Sequence, residues 1–370
     1  MKLYTPFKMA LIGLLIHAQT ALFAGQEEGA DRPVVSIQGN MFLVDGEPTY
    51  KGRSWRGNKV EGLLLNARLV QGVFDDENPE TRPLFKYPDT GEWDADRNTN
   101  EFVAAMPVWH SYGLNSFTVN LQGGSPTGYG NKNWKNTAFS ETGELKSAYF
   151  DRLSRILDQA EALQMIPIVG LFYFGQDQNL RDEAAVIAAV DKTTQWILDK
   201  GYRNVLIEIN NESNIRAYDH EILKPGRVHE LINRVKGMRR NGYRLLVSTS
   251  FGGRYIPDAH IVDAADFVLI HGNGVKDPAF IKEMVTKTKA LPTYRGQPIV
   301  FNEDDHYDYD NEANNFKFAI ESYAGWGYFD FRRKDESDIR IGYQSVPVDW
   351  GINHDRKLAF FNYVKEISGF

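Results

Sequence analysis

Residues 204–214 read N-V-L-I-E-I-N-N-E-S-N, and the fold is decided there. Val205, Leu206, Ile207 and Ile209 form a short β-branched and apolar run, the pattern of a strand buried on both faces of a parallel sheet. The run stops at Asn210, Asn211, Glu212 and Ser213, so a hydrophobic strand delivers a carboxylate to its own C-terminal end. In barrels of parallel strands that end carries the chemistry. Residues 298–303, P-I-V-F-N-E, repeat the arrangement: an apolar run ends on Asn302 and Glu303.

Working outward, apolar runs at 50–55, 115–121, 165–174, 205–209, 244–248, 267–270, 298–301 and 327–331 predict eight strands. Amphipathic helices lie between most of them. Tyr149, Leu153, Ile156, Leu157, Ala160 and Leu163 recur at helical spacing, as do Val228, Leu231, Ile232, Val235 and Met238. Leu358, Phe361, Val364 and Ile367 do the same near the end of the chain. Eight strands alternating with helices predict a (β/α)8 TIM barrel with long βα loops. Residues 34–44 predict an N-terminal β-hairpin turning at Gly39-Asn40, placed to cap the barrel floor. Residues 56–97 read as a large polar loop after the first strand.

The first 24 residues read as a signal peptide: Lys2 and Lys8 precede a largely apolar run from 9 to 23, and Ala24 offers a small residue for cleavage. Residues 25–370 then form a single catalytic barrel domain, in a secreted or periplasmic protein with no membrane span after signal cleavage. The chain has no cysteine, which excludes disulfides, thiolate metal sites and cysteine nucleophiles. A formal charge of -7 argues against nucleic acid as partner. Aromatic residues make up 13% of the chain, enough to supply sugar-stacking rings as well as core.

Two carboxylates flanking a glycosidic bond are the minimal apparatus for its hydrolysis. About 5 Å between them suits a double displacement with retention, and about 6.5–9.5 Å admits a water and gives inversion. The fourth and seventh strands face each other across an eight-stranded mouth, so Glu212 and Glu303 are the candidate catalytic pair, expected about 5 Å apart. V-L-I-E-I-N-N-E resembles the strand-four signature of clan A glycoside hydrolases, family 5 in particular, with Ser213 where proline is usual. P-I-V-F-N-E resembles the strand-seven segment of the same clan, and V-D-G-E-P at 44–48 resembles the entry to such barrels. The resemblance implies Glu212 as acid/base, Glu303 as nucleophile and Asn211 as donor to the sugar 2-hydroxyl. It also implies no cofactor. The chain departs from the family pattern in strand two, where Thr118 and Asn120 stand in place of an arginine. It departs again in strand six, where His271 and Asn273 replace an aromatic, so the cellulase-like enzymes best known in the family are not the match.

The missing positive charge is expected from Arg53 or Arg56 at the end of the first predicted strand. His271 is expected beside Glu303 or a sugar hydroxyl, and Asn120 at the end of strand two is a further candidate contact. Trp55, Tyr129, Trp134, Tyr173, Tyr307 and Trp350 fall in predicted loops or at strand ends and are candidate sugar platforms. The expected partner is a β-linked glycan, and arginines near predicted loop ends extend that to an anionic one. Two alternatives remain from sequence: a carbohydrate-binding barrel without catalysis, and a divalent-metal hydrolase built on Glu303, Asp304, Asp305 and His306. The acidic stretch 307–312 reads as a solvated loop; it lacks the glycine of a calcium-binding turn.

Overall fold

The structure is a computed structural model, and it describes residues 32–128 and 133–370. The predicted signal segment and Tyr129 lie outside the described residues. Eight parallel strands form one sheet: β1 (Leu65–Arg68), β2 (Ser116–Asn120), β3 (Ile166–Phe172), β4 (Leu206–Asn210), β5 (Leu246–Ser248), β6 (Val268–His271), β7 (Ile299–Asp304) and β8 (Gly325–Tyr328). They run in the order β5-β4-β3-β2-β1-β8-β7-β6. At the β5/β6 seam, Asp266 donates its N–H to the Val247 carbonyl, and Val247 returns its N–H to Asp266 Oδ2, both at 3.0 Å. A helix follows each strand: α1 (Ala95–Ser111), α2 (Ser147–Ala162), α3 (Glu183–Lys200), α4 (Val228–Gly237), α5 (Ala259–Ala264), α6 (Ala279–Lys289), α7 (Asn315–Glu321) and α8 (Asp355–Ser368). This is the (β/α)8 barrel that the alternation predicts.

The N-terminal hairpin, Val35–Gln38 against Met41–Val44, closes the floor. Val35 and Phe42 pack with Leu64, Ile166, Leu206, Leu269 and Val300, the inward residues at the start of the strands. Toward the other end the barrel interior turns polar. Asn66, Arg68, Thr118, Asn120, Glu208 and Asn302 are all buried there, on strands whose outer faces pack against helices.

The first strand corrects the sequence expectation. Residues 50–55 make turns and half of a two-residue ladder, Ser54–Trp55 against Asn58–Lys59, while β1 lies inside the stretch read as a loop. The physical reason is the polar interior: inward positions of β1 carry Asn66 and Arg68, which break the apolar signature. The eighth strand begins two residues earlier than expected, at Gly325.

Candidate active site

Glu303 reaches the mouth through a bulge. Phe301 pairs with Trp326 and Asp304 with Tyr328, so β7 spends one residue more than β8 over that interval, and a register shift faces β6 as well. An extra residue breaks strict inside-outside alternation. Asn302 and Glu303, consecutive in sequence, can therefore both point inward: Asn302 Nδ2 donates to Glu208 Oε1 (3.4 Å), and Glu303 meets Arg68. Asp304 turns outward, accepting from Trp326 Nε1 (3.0 Å) and Asn315 Nδ2 (2.9 Å).

Glu212 is held by different means. Its backbone is left-handed, with φ at +54°, a conformation uncommon outside glycine. Hydrogen bonds from three directions fix it. Glu212 donates its N–H to Ser250 Oγ (2.9 Å), Ser213 donates its N–H and hydroxyl to the Ser250 carbonyl (2.9 and 3.1 Å), and the buried Tyr218 hydroxyl donates to the Asn211 carbonyl (2.5 Å). A strained residue fixed by its surroundings is a frequent feature of functional sites.

One cation and one imidazole hold the two carboxylates, Arg68 on Glu303 and His271 between the pair. Arg68 directs Nε to Glu303 Oε2 (2.5 Å), Nη2 to Asn211 Oδ1 (2.5 Å) and Nη1 to Glu208 Oε2 (3.4 Å). His271 places Nδ1 3.0 Å from Glu212 Oε1 and 3.8 Å from Glu303 Oε2. Asn273 Nδ2 donates to Glu303 Oε1 (2.8 Å). Ligand atoms of Glu212, His271 and Glu303 all fall within 4.8 Å of one another. Burial pushes the Glu303 carboxyl above the ordinary carboxylate range; Arg68 and His271 pull it down, Glu212 pushes it up and Asn273 pulls it down, and burial prevails. Burial lowers the His271 imidazole, yet Glu303 and Glu212 outweigh it and leave His271 above the ordinary histidine value. Tyr173 titrates above its usual range because of burial and the nearby charges of Glu303 and Glu212.

The chain shares its fold with family 5 glycoside hydrolases. It is similar to a family 5 glycoside hydrolase from Bacteroides vulgatus (14% identity, TM-score 0.54, 90% of this chain over 71% of that one). It is also similar to a family 5 mannosidase from Rhizomucor miehei (12%, 0.51, 91% over 97%) and an endo-1,4-β-mannanase from Eisenia fetida (12%, 0.52, 90% over 95%). It spans 59% of the length of another Bacteroides vulgatus protein of this fold. No family model matches the sequence, and no curated protein matches it. At these identities the shared property is the fold.

The sequence-predicted residues divide into two groups on this frame. Asn211, His271, Asn120 and Tyr173 join Glu212 and Glu303 at the barrel mouth. Asn120 is buried against Gly170, where a Cβ would lie 2.2 Å from its Oδ1, and neither amide atom has a hydrogen-bond partner. Tyr307 follows β7 on the same face, with its hydroxyl accepting from Arg333 (3.4 Å) and its ring beneath Arg356. The others lie elsewhere. Arg53 donates to the carbonyls of Ile367 (2.8 Å) and Glu366 (2.6 Å), and Arg56 pairs with the Glu366 carboxylate, so both arginines are spent on the end of α8 at the barrel floor. Trp55 joins them there, donating Nε1 to Glu366 Oε1 and packing edge-on against Tyr363. Trp350 is buried behind α1 against Phe102 and Trp109, with Nε1 donating to Asn98 Oδ1 (3.1 Å). Trp134 is buried edge-on to Phe85 inside the loop wall. These three rings are core, because each loop that carries them folds back on the barrel.

Sequence reasoning missed Arg68, Ser250 and Tyr218. Arg68 had a legible signal, since L-L-L-N-A-R ends an apolar run on polar residues just as β4 and β7 do. The four residues of the metal alternative do not converge. Glu303 groups with Glu212 and His271, whereas Asp304, Asp305 and His306 cluster on the other side of β7, where Asp304 is already engaged.

Proposed function

We propose that the chain is a glycoside hydrolase that cleaves a β-linked oligo- or polysaccharide with retention, by double displacement through Glu303 and Glu212. The observation that carries this reading is the pair of carboxylates with oxygens within 4.8 Å, one of them clamped by a buried arginine. A separation of about 5 Å suits direct attack by one carboxylate while the other protonates the leaving oxygen.

Glu303 attacks the anomeric carbon while Glu212, in its acid form, protonates the departing oxygen. Arg68 and Asn273 aim the two Glu303 oxygens and favour the ionised form. A glycosyl ester on Glu303 results, with the proton of Glu212 now on the leaving group. Glu212 then takes a proton from water as that water attacks the same carbon, which releases the sugar and regenerates both groups. Glu212 is the more exposed of the two side chains (14% against 6%), as a group meeting both the leaving group and water needs to be. His271, hydrogen-bonded to Glu212, orients its carboxyl. Arg68 donates to Asn211 Oδ1, which turns the Asn211 side-chain nitrogen away from it for a substrate hydroxyl. The chain is read as exported before it acts, with a carbohydrate, neutral or anionic, as its partner.

Azide rescue tests the assignment. Glu303→Ala with azide is expected to form a glycosyl azide of inverted configuration, and Glu212→Ala with azide one of retained configuration from an activated aryl glycoside. The opposite pairing reverses the roles. Rescue of neither variant, on substrates that the unaltered chain cleaves, contradicts the two-glutamate reading.

A further inference from the structure

We infer that the enzyme acts from the non-reducing end of its glycan, removing a single sugar residue, because a buried strap closes the glycone side of the site. The inference rests on the glycosidase reading and sharpens it.

The sugar that Glu303 attacks can lie on only one side of the carboxylate pair. On the β6 side, His271 fills the gap, with Nδ1 within 3.8 Å of an oxygen of each glutamate, and Asn273 bonds Glu303 beside it. The ring must therefore sit on the side of β1 to β3, over Arg68, Asn211 and Tyr173. Residues 123–126, Gly-Gly-Ser-Pro, stand there and are wholly buried.

Each residue of the strap is tied down. A Cβ on Gly124 would lie 2.0 Å from the Tyr173 ring, so the backbone rests directly on that ring. Ser125, left-handed at φ +56°, sets its hydroxyl 3.1 Å from the Tyr173 hydroxyl. The Gly124 carbonyl accepts from Gln71 Nε2 (3.0 Å) and Gln344 Nε2 (2.6 Å), the Gly123 carbonyl from Asn136 Nδ2 (2.8 Å), and the Pro126 carbonyl from Val346 N–H (2.8 Å). The strap thus belongs to a wall built from the loops after β1, β2 and β8. Tyr173, which carries it, stands close enough to feel both catalytic charges. A second sugar on the glycone side would have to occupy the volume of the strap.

The leaving-group side is different. The loops after β4, β5 and β6 present exposed Arg216, Arg254 and Lys276, and the last two loops border a cavity of about 500 Å³ lined by Arg254, Lys276 and Phe280. A long aglycone can extend across that face.

The test follows products from borohydride-reduced β-linked oligosaccharides of two to six residues, and the viscosity of the parent polymers, across neutral, uronate and sulfated glycans. Stepwise release of one monosaccharide from the non-reducing end, at constant viscosity, is expected. Internal fragments with rapidly falling viscosity overturn the inference while leaving the two-glutamate mechanism standing; no cleavage of any glycan overturns the mechanism itself. Untying the strap with Gln71→Ala and Gln344→Ala is expected to raise the ratio of internal to terminal cleavage about tenfold, the worth of one or two buried hydrogen bonds. An unchanged ratio in a variant that keeps the native circular dichroism also overturns it.

Discussion

Glu303 and Glu212 end two strands of the same barrel within 4.8 Å of each other, yet the protein holds them by opposite means. Glu303 is turned inward by a strand bulge, nearly sealed from solvent and gripped on both oxygens, by Arg68 on one and Asn273 on the other. Glu212 sits on a strained, left-handed residue fixed through its main chain, and its carboxyl is hydrogen-bonded to His271 Nδ1. One side chain is immobilised and charge-compensated; the other is anchored at its backbone and left reachable. The proposed roles make those two different demands: a nucleophile must meet one carbon, and an acid must meet a leaving group and then a water.

The comparison breaks most visibly at Glu303. Glu303→Ala should lower kcat by about 10⁴-fold or more on every substrate, since the proposed glycosyl ester forms on Glu303. Glu212→Ala should cost about 10²–10⁴-fold on glycosides with poor leaving groups and far less on activated aryl glycosides, which need no proton. Equal losses on both substrate types would remove the distinction between the two glutamates.

Arg68 sharpens it. In the proposed mechanism Glu303 must be ionised to attack, so activity should be lost as pH falls through its folded pKa, which burial raises above the ordinary glutamate value. Arg68 lowers that pKa, so Arg68→Gln should move the acidic limb of kcat/KM to higher pH and cut activity about 10²-fold near neutrality. The same change strips Glu303 and Glu208 of a buried partner and should cost about 3–5 kcal/mol in urea unfolding. An acidic limb that stays in place would show that Arg68 does not hold the nucleophile.

The smallest effect belongs to Ser250, whose hydroxyl accepts the Glu212 N–H. Ser250→Ala leaves that donor unpaired and should lower kcat/KM about tenfold for poor leaving groups. Little change is expected for activated ones. A uniform loss would mark Ser250 as structural only.

How much of this could be read from sequence depended on where polar residues fell. β4 and β7 were legible because their apolar runs, broken only by Glu208, end abruptly at Asn210 and Asn302, so each strand announces its own end. β1 was not, because the polar barrel interior puts Asn66 and Arg68 at its inward positions and erases the pattern. Trp55 and Trp350 misled for a related reason: a tryptophan in a loop reads as exposed, and only the tertiary path shows the loop returning to pack on α8 or α1. The φ of Glu212 and the bulge at Asn302-Glu303 leave no composition signal, since neither uses a glycine.

The central claim, that Glu303 carries the sugar, is tested most directly by mass spectrometry of the glycosyl-enzyme trapped with a 2-deoxy-2-fluoro glycoside whose leaving group is activated. One glycosyl unit is expected on the peptide containing Glu303, in the unaltered chain and, longer-lived, in Glu212→Ala. A label on the Glu212 peptide, or product of inverted configuration formed with no label on a chain that turns over, would contradict the account.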